Sequence, residues 1–389
     1  MPEKILVVDD EPDLESLILQ KFRKKIREEE YEFVFATNGL EALTKLLEHK
    51  DVGVILSDIN MPEMDGLTLL AKLNELQNPA IKTVMVSAYG DMDNIRTAMN
   101  NGAYDFVTKP VDFADLARTI EKTLNEINLI RKSLQEHKQL VAIQHDLETA
   151  RSIQLGILPK TFPAFPGRDE FDIYAAMEAA KEVGGDLYDF FMIDHNHLGI
   201  VIGDVSGKGV PAAIFMAVSR TLIRATALKG QSPASCFNYV NSLLCVESVN
   251  SMFVTAFYGI LDLTTGELVY ANAGHNFPYV TNSAGEVRPI EGSGGIPLGL
   301  MDFKPYEMHT TTINPGDMIL LYTDGVTEAM NKEEELYSEE RLEKFLSANS
   351  AAPLKGLTGN LFAEIHSYAN GMEQSDDITT LAVRYIKKA

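Results

Sequence analysis

Short apolar runs alternate with longer amphipathic stretches over the first 122 residues. Five runs have the composition of strands, and they cover residues 5–8, 32–36, 52–56, 82–87 and 104–107. A helix-length segment separates each run from the next, which is the pattern of parallel strands joined by crossover helices. The pattern predicts an α/β domain with a doubly wound parallel sheet at residues 1–122.

Residues 113–155 contain neither Gly nor Pro, so the pattern predicts one long helix over residues 113–157. Apolar residues recur at spacings of three, four and seven in one stripe, which comprises Ile120, Leu124, Ile127, Leu134 and Val141. A second stripe, shifted by one position, comprises Leu140, Ile143, Leu147 and Ala150. A solvated connector is one interpretation. We favour a coiled-coil linker at residues 123–158 that forms a homodimer, because a polar helix this long cannot bury its stripe alone.

The pattern changes at residues 159–389, where three prolines mark the boundary at positions 159, 163 and 166. Strand-like runs follow at 198–202, 253–261, 268–272, 317–322 and 379–385. Helical periodicity covers 211–229, 233–248 and 339–348. Strands and helices in this arrangement predict a layered α+β domain.

The charge balance narrows the classes of partner. Lys and Arg total 34 against 56 Asp and Glu, a formal net charge of −22. This argues against nonspecific binding to nucleic acid or to an anionic membrane, and favours protein partners and bound cations. Cys236 and Cys245 fit no zinc spacing and suit two reduced thiols. We find no signal peptide and no apolar run of about 18 residues, so we expect a cytoplasmic protein.

Charged residues follow three of the predicted strands in the first domain. Asp9 and Asp10 end the first strand, Asp58 follows the third, and Lys109 follows the fifth. The carboxyl ends of parallel strands share one edge of the sheet, where ligands bind. Three carboxylates crowded there favour Mg²⁺. One of them could attack a phosphoryl donor and form an acyl phosphate, with Lys109 neutralising charge.

This domain resembles the receiver domain of two-component response regulators. The matching segments are VVDDE at 7–11, SDINMPEMDG at 57–66, VSAYG at 86–90 and YDFVTKP at 104–110. The resemblance implies that a sensor histidine kinase phosphorylates Asp58. It also implies that Asp9, Asp10, Asp58 and the carbonyl of Asn60 hold Mg²⁺. Ser87, Phe106 and Lys109 would respond to the phosphoryl group.

A second set of acids lies at predicted strand ends in the C-terminal domain. Asp186 lies in EVGGDLYD, Asp204 in GDVSGKG, Asp324 in LYTDGVTEA, and Asp376 with Asp377 in SDDITTLAV. No His/Cys cluster accompanies them, so oxygen ligands suit Mg²⁺ or Mn²⁺ better than zinc. Acids that converge in this way can hold two metal ions, and the pair can activate water against a phosphate monoester.

These residues, with NAGHN at 272–276 and GGIPLG at 294–299, resemble the metal-dependent protein phosphatase (PPM) superfamily and its bacterial sigma-factor-regulator branch. The resemblance implies a β-sandwich domain with two Mn²⁺ or Mg²⁺ ions. It implies that Asp204 bridges both ions, that the carbonyl of Val205 binds one, and that Asp186 acts through a water. Asp324 and Asp376 complete the second metal site, and Asp377 is the alternative to Asp376 as a ligand there.

Two further residues have alternative interpretations. Lys181 could contact the substrate phosphate, but an exposed lysine is the better interpretation. His275 could act as a general acid, and a structural histidine in a tight turn explains it at least as well.

The resemblance implies a serine/threonine phosphatase controlled by phosphorylation of Asp58, with an anti-sigma-factor antagonist as substrate. The alternative is a catalytically silent scaffold that sequesters a partner when Asp58 is phosphorylated. A DNA-binding regulator is disfavoured, because no helix-turn-helix with a basic face is present in the sequence.

Overall fold

The computed structural model describes residues 2–88, 91–247, 251–302 and 304–386. The chain forms two compact units, which divide between Ile143 and Gln144. The unit boundary lies within one long helix, so each unit contains part of that helix.

The N-terminal unit is built on a five-stranded parallel sheet in the order β2-β1-β3-β4-β5. Its strands are β1 Glu3–Val8, β2 Tyr31–Ala36, β3 Val52–Asp58, β4 Lys82–Ala88 and β5 Asp105–Lys109. All seven residues of β3 are buried, as expected for a central strand covered on both faces. The sequence prediction of a doubly wound parallel sheet is confirmed, and each predicted strand lies within two residues of an observed one.

The crossover segments of this unit are helices. They are α1 Pro12–Lys21, α2 Arg23–Arg27, α3 Gly39–Glu48, α4 Gly66–Glu75 and α5 Met92–Asn100. Asn38 and Asp65 cap α3 and α4 by accepting from the backbone N–H groups of Glu41 and Thr68.

The long helix α6, Phe113–Ile157, covers 45 residues and matches the predicted range. The predicted interface stripe is partly wrong, however. Ile120, Leu124 and Ile127 are buried in the core of the N-terminal unit with β1, β3 and β4, and cannot face a second helix. The exposed apolar residues begin further along, and Leu134, Leu140, Val141 and Ile143 are 42–60% exposed.

The C-terminal unit contains two five-stranded antiparallel sheets. The first has the order β13-β10-β9-β8-β7, and the second β12-β11-β14-β15-β6. Their strands are β6 Phe171–Glu178, β7 Leu187–Met192, β8 His197–Val205, β9 Val254–Asp262, β10 Glu267–Ala273, β11 Tyr279–Thr281, β12 Val287–Pro289, β13 His309–Thr312, β14 Met318–Tyr322 and β15 Ile378–Tyr385. Ile200, Phe257, Ile319 and Leu381 belong to the core between the sheets, which confirms the β-sandwich.

Helices cover the outer faces of the sandwich. They are α7 Val210–Ala227, α8 Pro233–Glu247, α9 Asp324–Thr327, α10 Ser338–Ala348 and α11 Leu354–Ala369. Met216 and Phe237 pack α7 and α8 on the first sheet, and Leu342 and Leu361 pack α10 and α11 on the second. The three predicted helices are present, except that residue 248 lies outside the described residues. The sequence interpretation did not identify α11.

By length and composition alone, α7 is one described helix that could cross a membrane. Its inner residues, among them Ala212, Met216 and Ile223, pack against the first sheet. We therefore assign it to the core of the C-terminal unit. Among the described residues Cys236 and Cys245 form no disulfide, and Cys236 is buried.

Candidate functional site

Three acids meet at the carboxyl edge of the parallel sheet. Asp9 and Asp10 directly follow β1, and Asp58 is the last residue of β3. Ligand oxygens from all three lie within 4.8 Å of one another. The structure thus brings together the carboxylates that the sequence predicted, and oxygen donors at this spacing fit a hard divalent cation such as Mg²⁺.

Lys109 contacts this acidic cluster from the end of β5. Its Nζ lies 2.7 Å from Asp58 Oδ2, 2.8 Å from Glu11 Oε1 and 2.9 Å from Asp9 Oδ2. Burial lowers the pKa of Lys109, but hydrogen bonds to these acids outweigh it and raise the pKa. Burial raises the pKa of Asp9. Lys109 is therefore a fixed positive charge beside Asp58, and Glu11 is a contact that the sequence interpretation did not include.

The predicted switch residues lie on neighbouring strands. Ser87 is buried near the end of β4, and its hydroxyl donates to Asp91 Oδ2 at 3.4 Å. Phe106 is 37% exposed on β5. The backbone N–H of Asn60 lies 3.4 Å from Asp58 Oδ1. Residues 89 and 90 of the VSAYG segment lie outside the described residues.

The second set of acids comes from both sheets of the sandwich. Asp186 precedes β7 and Asp204 lies near the end of β8, while Asp324 follows β14 and Asp376 precedes β15. The side chains of Asp186 and Asp204 are in hydrogen-bond contact. Thr323, just after β14, donates to Asp186 Oδ2 at 2.8 Å and so ties the two sheets together at this point.

Electrostatic crowding is strong in this second cluster. Burial, then the charges of Asp204 and Asp377, raises the pKa of Asp186 well above its usual value. Burial and the nearby Asp324 and Asp376 raise the pKa of Asp204 to about 7. Burial and Asp376 also raise the pKa of Asp324. Acids that cannot all ionise together are a donor set that fits divalent cations.

The neighbouring Asp376 and Asp377 have different surroundings. Asp377 is buried, and its two oxygens accept from the backbone N–H groups of Ala180 at 2.8 Å and Gly185 at 2.6 Å. Asp376 is more exposed, and its Oδ2 lies 2.9 Å from Lys208 Nζ. Asp377 therefore holds the loop before Asp186, whereas Asp376 presents its carboxylate to the cluster together with a lysine that sequence reasoning missed.

The loop at Gly184 and Gly185 approaches other parts of the chain too closely for side chains. A Cβ on Gly184 would lie 2.3 Å from Asp377 Oδ2, and one on Gly185 would lie 2.9 Å from the carbonyl oxygen of Val205. The amide of Gln154, near the end of α6, is buried and holds the same loop. It accepts from Gly184 N–H at 3.1 Å and donates to the Gly184 carbonyl at 2.5 Å. Nothing in the sequence around Gln154 indicated this role.

His275 lies between strands instead of facing the cluster. Its Nε2 is 3.1 Å from the carbonyl of Tyr322, and its Nδ1 is 2.9 Å from Thr255 Oγ1. Burial lowers the pKa of His275 to about 4, so the ring is neutral near pH 7. These contacts favour the structural interpretation over a general acid. Lys181 is exposed, as expected.

Two protein families match the chain. Residues 5–121 match the response regulator receiver domain, and residues 194–386 match stage II sporulation protein E (SpoIIE). The matches cover the regions that carry the two acidic clusters, apart from Asp186.

Three proteins illustrate what this chain is similar to. Protein IcfG of Synechocystis sp. is 32% identical over 61% of this chain, and the chain spans 41% of its length. Phosphoserine phosphatase RsbU of Bacillus subtilis is 27% identical over 64% of this chain and 74% of its own. The SiaA-PP2C domain of Pseudomonas aeruginosa shares the fold, with a TM-score of 0.57 and 22% identity over 64% of this chain and 98% of that domain.

The parallel sheet with its Asp9, Asp10 and Asp58 cluster matches the receiver family. The sandwich with its second acidic cluster matches the SpoIIE family and the PP2C fold. The chain therefore combines an N-terminal receiver domain of the response regulator family with a C-terminal SpoIIE-type phosphatase domain.

Proposed function

We propose that this chain hydrolyses phosphoserine or phosphothreonine on a regulatory protein, and that phosphorylation of Asp58 controls the reaction. The observation that carries the proposal is the convergence of Asp186, Asp204 and Asp324, whose pKa values are raised first by burial and then by the charges of neighbouring acids. Carboxylates held together in this way, at the ends of strands from both sheets, are suited to bind cations.

Each residue of the cluster has a distinct part in the proposal. Two Mn²⁺ or Mg²⁺ ions would supply Lewis acidity and an activated water. Asp204 would bind both ions and the carbonyl of Val205 one of them. Asp186 would act through a water, and Asp324 and Asp376 would complete the second metal site. We assign Asp376 and not Asp377 to metal binding, because backbone N–H groups occupy both oxygens of Asp377.

The substrate proposal rests on sequence resemblance. RsbU of Bacillus subtilis is a phosphoserine phosphatase by name, and it aligns with 64% of this chain. We propose an anti-sigma-factor antagonist as the phosphorylated substrate, consistent with the resemblance of the NAGHN and GGIPLG segments to the sigma-factor-regulator branch.

Control would begin in the receiver domain. A sensor histidine kinase would donate the phosphoryl group to Asp58, with Mg²⁺ held by Asp9, Asp10 and the carbonyl of Asn60. Ser87 would then turn toward the phosphoryl group and Phe106 would repack. A homodimer formed through the exposed part of α6 would carry this change to the phosphatase domain. We propose a cytoplasmic location for the chain, where a sensor histidine kinase would reach the receiver domain.

The proposed activity can be tested with the full chain and p-nitrophenyl phosphate. We expect Mn²⁺-dependent release of phosphate, and a loss of at least about a hundredfold in Asp204→Asn, the scale of removing several kcal/mol of electrostatic stabilisation. Asp204→Asn keeps the size of the side chain and relieves repulsion within the cluster, so the variant should fold.

The matched control is Asp302→Asn, an exposed acid in the same unit that should keep full activity. Equal rates for Asp204→Asn and Asp302→Asn would show that the acidic cluster is not the active site. Absence of Mn²⁺-dependent turnover in the wild type would favour the scaffold alternative. The rate at which the chain dephosphorylates a candidate phosphoprotein should then be measured with and without phosphorylation of Asp58.

A further inference from the structure

A buried ionic group lies on β7, three residues after Asp186. Asp189 is 1% exposed, and its Oδ1 lies 2.6 Å from Arg224 Nη1 and its Oδ2 3.0 Å from Arg220 Nη2. Both arginines come from α7, so the three side chains connect this helix to the strand. Two guanidinium groups share one carboxylate, and the group therefore carries a net positive charge.

The contacts with Asp189 do not use all of the N–H donors of the two guanidinium groups. Each guanidinium carries five N–H donors in a planar fork. Among the described residues, Arg220 Nε is buried without a hydrogen-bond partner, and Asp189 is the one acid paired with either arginine. Arg224 has the more accessible of the two side chains, at 36% exposed, so its N–H groups that do not bond Asp189 can reach an anion beside them.

Both arginines open onto a cavity of about 550 Å³ within the C-terminal unit. Its basic lining residues are Lys160, Arg220 and Arg224, and its apolar ones include Phe165, Phe190 and Met192. The residues that line it include no acid, and Asp189 itself is buried. β7 is an edge strand of its sheet, which allows side chains from both of its faces to reach the cavity.

The composition of the cavity restricts what it can bind. Its volume falls within the range of about 300–1,000 Å³ that is usual for small-molecule sites. Its apolar wall suits an aromatic or aliphatic body, and Arg224, which stacks over Phe191 at 5.0 Å, suits a planar anionic head. In a chain of net charge −22, three basic residues together are a local exception that attracts anions.

We propose that this cavity is a binding site for a small organic anion with an apolar body and a carboxylate, sulfonate or phosphate head. The head would bind Arg220, Arg224 and Lys160, and the body would lie against Phe165, Phe190 and Met192. The site is separate from the acidic cluster, which would repel the same ligand. It does not depend on the phosphatase activity.

The probe for the experiment is 8-anilinonaphthalene-1-sulfonate, which has an aromatic body and one sulfonate and contains no phosphate to hydrolyse. The full chain should bind it saturably, with an increase in fluorescence. We expect binding to weaken about tenfold in Arg224→Gln, which removes a charged hydrogen-bond donor. It should weaken about two- to fivefold in Lys160→Gln, which removes an exposed charge.

Two controls separate this site from general apolar binding. Arg341→Gln removes another arginine that stacks on a ring, 4.7 Å over Tyr368, and should leave binding unchanged. The affinity for the neutral probe N-phenyl-1-naphthylamine, which has the same aromatic body, should not change in Arg224→Gln or Lys160→Gln.

Circular dichroism checks that each variant folds. If Arg224→Gln does not fold, Arg224→Lys and Lys160→Gln replace it. Equal sulfonate affinity in the wild type and the folded cavity variants would overturn the proposal.

Discussion

At the scale of single residues, His275 joins two strand ends that carry acids of the second cluster. It contacts the carbonyl of Tyr322, two residues before Asp324, and Thr255, which pairs with Asp204 in the sheet. Burial lowers the pKa of His275 to about 4, so the imidazole makes these contacts in its neutral form near pH 7.

The first prediction concerns the pH dependence of stability. The pKa of His275 is depressed in the folded state, so its contribution is complete above the unfolded pKa of about 6.5 and is lost as pH falls toward 4. Between pH 7 and pH 5, the wild type should lose about 2 kcal/mol more unfolding free energy than His275→Gln, which cannot take up a proton. Urea unfolding at the two pH values measures this difference. An equal loss in both proteins would show that His275 is not buried in its neutral form.

The second prediction separates Asp376 from Asp377. Asp377→Asn should lower the unfolding free energy by about 1.5–3 kcal/mol, because a charged acceptor of two backbone N–H groups is replaced by one neutral oxygen. Asp376→Asn should leave stability in EDTA nearly unchanged and weaken Mn²⁺ binding. Thermal unfolding in EDTA, followed by Mn²⁺ titration, measures both effects. The reverse pattern would make Asp377 the metal ligand.

The acids of the two clusters could be predicted from the sequence more easily than the residues that hold their loops in place. Asp58, Asp204 and Asp324 follow apolar runs, so their place at strand ends could be read from the local pattern. Gln154 could not be identified in this way, because a glutamine in a polar helix looks solvated. Its partner Gly184 is 30 residues away, and only the folded chain brings the two together.

At the scale of helices and strands, α6 has two kinds of apolar residue. Its first part contributes Ile120, Leu124 and Ile127 to the receiver core, and its later part leaves Leu140 and Ile143 exposed. Periodicity alone does not distinguish these cases, because the stripe that packs on a domain and the stripe that packs on a second helix share the same spacing.

The third prediction concerns a dimer held by α6. Leu140→Glu with Ile143→Glu should produce a monomer, since charges placed in a helix pair lack partners there, and both domains should stay folded. Light scattering gives the mass. Ile127→Glu is the contrasting variant, which should unfold the receiver domain because Ile127 is fully buried. A dimer that persists in the double variant would exclude these two residues from the interface.

Strand prediction failed where the sequence pattern was short or broken. β11 and β12 have three residues each, and β13 has four, so no period can be recognised in them. β6 and β7 are longer, but Asp172 and Asp189 interrupt their apolar runs, and the arginine partners of Asp189 lie on α7. The longer apolar strands, such as β8 and β9, were predicted within a few residues.

At the scale of the whole chain, the receiver and the phosphatase domain should be energetically linked. The fourth prediction is that beryllofluoride, which mimics an acyl phosphate, acts at Asp58 and raises phosphatase turnover. A coupling of about 1–3 kcal/mol corresponds to roughly five- to a hundredfold in the linked equilibrium. Turnover of p-nitrophenyl phosphate with saturating Mg²⁺ measures the effect.

The matched control is Asp58→Ala, which should keep basal phosphatase activity and ignore the mimic. A wild type that binds beryllofluoride at Asp58 without any change in turnover would show that the receiver does not regulate catalysis. It would then control the location of the chain or its choice of partner.

Protons and divalent ions compete for the crowded carboxyl groups around Asp204. Its pKa of about 7, and the raised pKa of Asp186, mean that the cluster carries protons near neutral pH when no metal is bound. Each ion that binds must displace such protons, so its affinity rises with pH. A modest fall in pH would thus reduce metal occupancy without any change in the signal at Asp58. The activity of the phosphatase domain would therefore depend on pH and on the concentration of free divalent ions, independently of Asp58.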